Sequence, residues 1–111
     1  MPLGRTTSAQ RDDLALLAGA FLAVPAGKVP GLLRDLLTAG EIAEFANRFR
    51  VASMLADGVP YAKIVEETGA SSTTVARVSK FLRGDFGGYR AALQSLGKAR
   101  AASSKHHRPP A

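Results

Sequence analysis

Apolar residues recur along most of this chain at the three- and four-residue spacing of a helix face, and glycine and proline interrupt the runs. Leu14, Leu17, Phe21 and Val24 form the first stripe, which Ala18 and Leu22 widen. Ser8 is the expected cap of this helix, with Asp12 and Asp13 placed favourably in its first turns. Pro25, Gly27, Pro30 and Gly31 then bend the chain. A short second helix is expected over GLLRDLL, residues 31–37. Thr38 with Glu41 three residues later has the form of a capping box, and it opens the longest helical pattern, residues 39–56. In that pattern Ile42, Phe45 and Phe49 fall on one face, and Val51, Met54 and Leu55 on another. A helix apolar over more than one face needs cover on more than one side. Asp57 and Gly58 stop it, and Pro60 opens the next helix, where its missing N–H costs little.

The sharpest pattern is YAKIVEETGASSTTVARVSKFL, residues 61–82. Two short helical stretches flank a turn of Thr68, Gly69, Ala70 and Ser71, and glycine accepts the positive φ that such a turn demands. Ile64 and Val65 supply apolar contacts before the turn; Val75 and Val78, three apart, share one side of the helix after it. With these turned inward, Ser72, Thr73, Ala76, Arg77 and Lys80 are left on or near the outer side. That is the plan of a helix-turn-helix unit, in which the first helix braces and the second offers small polar and basic side chains to a DNA groove. Beyond it, Gly84 to Gly88 form a break, and Asp85 is the expected cap of a last helix through Tyr89, Leu93 and Leu96, ended by Gly97. The expected fold class is therefore all-α with about six helices. Residues 1–8 are expected to form a flexible arm, 9–97 one helical domain and 98–111 a disordered basic tail.

Charge sharpens this picture. The net charge of the 111-residue chain is +6. Residues 1–70 hold seven Lys/Arg against eight Asp/Glu, whereas residues 71–111 hold eight Lys/Arg against Asp85 alone. The basic excess thus begins at the second helix of the motif, which favours a phosphate-bearing partner, double-stranded DNA. The absence of cysteine removes disulfides, thiol nucleophiles and thiolate metal sites and fits a reducing cytoplasm. The run Leu14–Val24 has the length of a signal-peptide core, but Asp12 and Asp13 stand where a basic lead-in belongs, and eleven residues cannot span a bilayer. A buried helix is the expected reading, with no membrane partner. The mostly apolar first helix and the multi-faced long helix together point to a homodimer, the alternative being a monomer whose own helices supply the cover.

The order LLTAGEIAEFANRFRVASMLADGVPYAKIVEETGASSTTVARVSKFL resembles the YerC/YecD branch of the tryptophan-repressor superfamily over roughly residues 32–96. LLTAGEI, ANRFRVASMLADG, IVEETGASSTTVARV and the GDFGGY segment carry the likeness. It implies an intertwined all-helical homodimer, one DNA-reading head per subunit, and transcriptional control. It also implies a candidate effector pocket, because Arg48 and Arg77 match the arginines that enclose an indole ring, and Thr38 and Thr74 match pocket positions. Tryptophan is not the expected ligand, since Val78 stands where the pocket has a glycine. No cofactor is expected.

Ser71, Ser72, Thr73, Ala76, Arg77, Lys80, Lys63 and Arg83 are the candidate DNA contacts. For Ser71 a helix cap is the favoured reading, and Lys63 and Arg83 are suited to phosphate rather than bases. Arg48 and Arg50 fit either phosphate contact or paired structural roles. Phe45, Phe49 and Phe81 read as core. Nothing points to catalysis: Glu66 and Glu67 are adjacent and diverge by about 100° on a helix. His106 and His107 have no metal-ligand companions at usable spacing. The glycines at 84, 87 and 88 fit no nucleotide-binding pattern. The remaining alternative is a helix-turn-helix fold used as a protein-interaction module.

Overall fold

The computed structural model describes the backbone of residues 7–107 and the side chains of residues 7–97. Six α-helices and one 3-10 turn make up the described chain, and it contains no strand. They are α1 (Ser8–Ala23), a 3-10 turn (Ala26–Lys28), α2 (Val29–Leu36), α3 (Ala39–Ala56), α4 (Tyr61–Thr68), α5 (Ser72–Arg83) and α6 (Gly88–His107). The expected all-α class holds.

Short-range capping chemistry sets most of these boundaries. Thr7, not Ser8, caps α1: its hydroxyl accepts from the Gln10 N–H, and the Gln10 side chain accepts from the Thr7 N–H. A hydroxyl with a glutamine three residues on completes a reciprocal pair that Ser8 has no partner to make. Asp12 and Asp13 accordingly lie beyond the first turn. Thr38 and Glu41 form the expected capping box at the start of α3, with bonds of 3.1 and 2.9 Å. Pro30 lies inside α2 instead of breaking the chain before it, because an N–H in a first helical turn has no intrahelical acceptor to lose. Gly58 (φ 80°) and Gly69 (φ 71°) follow α3 and α4 in left-handed conformations that a Cβ would strain.

Two expectations at the far end are corrected. α6 begins at Gly88, so Gly87 immediately precedes the helix and Asp85 stands outside the cap position. Gly97 does not end α6, whose backbone stays helical to His107 through part of the stretch expected to be unstructured. One glycine costs a helix only about 1 kcal/mol against alanine, and Ala91, Ala92, Ala99, Ala101 and Ala102 flank it. Residues 1–6 of the expected arm and 108–111 of the expected tail lie outside the described residues.

The chain divides into two compact units, residues 1–42 and 43–111. In the first, α1 and the α2 region are bent by 117°. No residue of α1 or α2 is buried within the single chain. Leu14, Leu16 and Leu22 are 61%, 73% and 87% exposed; only Ala20, Phe21, Val24, Val29, Leu32 and Leu37 reach half-burial in these segments. The buried helix expected here forms as a helix but lacks its cover. Among the described residues no single helix is long and apolar enough to cross a membrane.

The second unit closes a core of its own. Val51 and Ala52 from α3, Ile64 from α4, Ala70 from the turn, and Val75 and Val78 from α5 are buried together. Met54, Leu55, Val59, Val65, Tyr89 and Leu93 pack around them. Each fully buried aliphatic side chain of this kind contributes about 1.5–3 kcal/mol. Phe45, expected in a core, is 44% exposed and takes no part in this cluster. Phe49 and Phe81 are half-buried.

Candidate nucleic-acid interface

α4 and α5 are held at a fixed turn by three kinds of bond. The Thr68 hydroxyl donates to the Ile64 carbonyl at 2.7 Å and accepts from the Ala70 N–H at 3.1 Å. Asn47 on α3 donates its side-chain amide to the Thr68 carbonyl at 3.2 Å. Ser71 then caps α5, its hydroxyl oxygen accepting from the Thr74 N–H at 3.1 Å while the hydroxyl donates to Thr74 Oγ1 at 3.0 Å. The cap reading of Ser71 is therefore correct, although the residue is also exposed.

α5 sorts its residues as the apolar spacing requires. Val75, Val78 and Ser79 are buried, while Ser72, Thr73, Ala76, Arg77, Lys80 and Arg83 are exposed. The outer ridge begins with two hydroxyls at the helix N-terminus, where unpaired N–H groups and the dipole attract an anion. It continues with a methyl and three cations toward the C-terminus. Among the described residues, Arg77, Lys80 and Arg83 have no carboxylate partner. Arg77 rests over the Phe81 ring, 5.3 Å from its centroid, one helical turn along. Such stacking steadies the guanidinium and leaves its edge donors free. Lys63 on α4 is exposed and lies 3.9 Å from Glu67, an exposed pair too weak to hold it from another anion.

The residues matched to an effector pocket are engaged separately. Arg48 pairs with Glu44 at 2.8 Å and covers the Phe45 ring at 5.4 Å. Arg50 donates to Asn47 at 3.5 Å. Thr38 belongs to its capping box, and Thr74 to the α5 cap. An open groove of about 420 Å³ is lined by Phe49, Phe81, Phe86, Gly88 and Tyr89, and none of Thr38, Arg48, Thr74 and Arg77 is among its walls. Val78 is 2% exposed, with its isopropyl group packed into the core.

Three residues that position this region escaped the sequence reading. Thr68 was legible, since a hydroxyl two residues before a turn N–H is a common local bond. Asn47 was not, because its partner lies 21 residues away. Arg90 was not either: its Nη1 donates to the carbonyls of Leu82 and Gly84 at 2.6 and 2.7 Å.

Known proteins agree with this architecture. The chain is 41% identical over 70 residues to the uncharacterized protein YerC of Bacillus subtilis (strain 168), spanning 63% of this chain and 67% of that one. The crystal structure of a TrpR-like protein from Eubacterium eligens ATCC 27750 superposes with a TM-score of 0.65 at 32% identity, covering 82% of this chain and 91% of the other. The sequence model of the Trp repressor protein family matches residues 15–97. With residues 15–97 matched by the family model and most of its length accounted for, the chain belongs to the Trp repressor family.

Proposed function

We propose that the protein is a sequence-specific, double-stranded-DNA-binding transcriptional repressor that acts as an intertwined homodimer in the cytoplasm. The observation that carries the reading is the division of α5, with Val75, Val78 and Ser79 in the core and Ser72, Thr73, Ala76, Arg77, Lys80 and Arg83 along one exposed ridge. Binding rather than catalysis is the use to which its family puts this fold.

In the proposed mechanism α5 enters the major groove. Lys63, Lys80 and Arg83 neutralise phosphates and set the register, while Ser72, Thr73, Ala76 and Arg77 meet base edges. Arginine can donate two parallel bonds to a guanine, and an alanine methyl packs against a thymine methyl. The uncovered apolar residues of α1 and α2 support dimerisation, which would set two such helices about one turn of DNA apart on a near-palindromic site. Tryptophan is not the corepressor in this reading. Filling a glycine-sized gap with the Val78 side chain costs a tight site about 1–3 kcal/mol; micromolar tryptophan binding in a calorimetric titration would overturn it.

Selection of bound duplexes from a random pool tests the whole proposal, with a two-fold symmetric motif as the expected result. On the selected duplex, Arg77→Ala should weaken binding by about 1–3 kcal/mol and relax preference at one base pair. A protein that retards neither selected nor random duplex at low salt is an interaction module instead.

A further inference from the structure

We propose that Arg90 is a positioning residue that locks the C-terminal end of the recognition helix, and that the GDFGGY loop is shaped to admit its guanidinium. The inference rests on the DNA-binding reading of α5 and deepens it. The last carbonyls of an α-helix have no intrahelical partner, and the dipole makes them the negative end. Here one nitrogen of Arg90, from the first turn of α6, closes on both the Leu82 and the Gly84 carbonyl at 2.6 and 2.7 Å. It therefore ties the end of α5 to the helix that follows.

The loop between them makes room for this. Gly87 has φ 73°, and a Cβ placed on it would stand 3.3 Å from the Arg90 guanidinium. A Cβ at Gly84 would stand 3.2 Å from the Lys80 carbonyl, within the same last turn of α5. Across the same break, the rings of Phe81 and Phe86 stack 6.2 Å apart, 18° from parallel. The same Phe81 carries Arg77. Arg90 thus acts on base readout at one remove: it fixes the turn that holds Phe81, and Phe81 steadies Arg77. Its charge is directed at carbonyls rather than at phosphate.

The test compares wild type with Arg90→Met, Arg90→Lys and Gly87→Ala in the full chain, on the selected duplex and on a random duplex across a salt series. Amide hydrogen exchange over residues 82–88 is followed in parallel. Arg90→Met should lose about tenfold in affinity for the selected duplex. Its affinity for the random duplex and its salt slope should not change, and amides 82–88 should exchange faster. Arg90→Lys should recover part of the loss, because one ammonium carries enough hydrogens for both carbonyls. Gly87→Ala, which keeps every charge, should also weaken binding and speed exchange over 82–88, through the strain of a Cβ at φ 73° together with its approach to the guanidinium. A salt slope lower by about one unit with equal losses on both duplexes would make Arg90 a phosphate contact and overturn the proposal. Unchanged exchange over 82–88 would overturn it as well, whether or not the variant binds DNA. A wild type that does not distinguish selected from random duplex sinks the regulator reading; the exchange data then still decide whether Arg90 secures α5.

Discussion

Residues 7–42 and residues 43–97 are built from similar proportions of apolar residues, and they end in opposite conditions. The second region buries Val51, Ala52, Ile64, Ala70, Val75 and Val78 against one another. The first forms two helices and a 3-10 turn without burying one side chain completely. Hydrophobic periodicity is therefore evidence for a helix and for an apolar face, but not for what covers that face. A helix-turn-helix head is a local object: α4 and α5 meet across the three residues Gly69, Ala70 and Ser71 and need only α3 and the start of α6 to finish a core. α1 and α2 have no such neighbour in the sequence, and none of their residues is buried.

The contrast can be broken at several strengths. Ile64→Ala should destabilise the protein by about 2–5 kcal/mol in denaturant unfolding, since it empties a fully buried site; a loss below 1 kcal/mol would mean that the head does not carry the stability. Gly69→Ala should cost about 1–2 kcal/mol. Nothing lies within 4 Å of the added methyl, so the whole of that loss would come from φ of 71° and none from crowding. Ser71→Ala should cost about 1 kcal/mol by removing the α5 cap, and Ser71→Asp should restore most of it. The smallest effect on a lone chain belongs to the first region. At dilutions that separate subunits, Leu22→Ser should change stability by less than about 0.5 kcal/mol. The rise of the wild-type melting temperature with protein concentration should flatten in the same variant. A concentration-independent loss of 2 kcal/mol would show that α1 is covered within its own chain.

Signals confined to three or four residues were readable from the sequence: the Thr38–Glu41 box, the Ser71 cap, and the glycines at 58 and 69 that take positive φ. The inward set Val75 and Val78 was readable for the same reason, because a helix imposes its own period. Errors arose where two local signals competed. Ser8 and Thr7 are both good caps, and Gln10 decides between them only through its exact spacing. At Gly97 the preference of the surrounding alanines outweighed one breaker. What stayed hidden depends on pairing across loops: Asn47 with the Thr68 carbonyl, and Arg90 with the carbonyls of Leu82 and Gly84.

The bond from Asn47 to the Thr68 carbonyl has a consequence for anyone who would transplant the DNA-reading segment. The bend between the two motif helices is steadied from α3, which lies upstream of the segment 61–82 altogether. A graft limited to those residues would carry every base-facing side chain and leave behind the strut that sets their angle. The smallest portable reading head should therefore begin before Asn47.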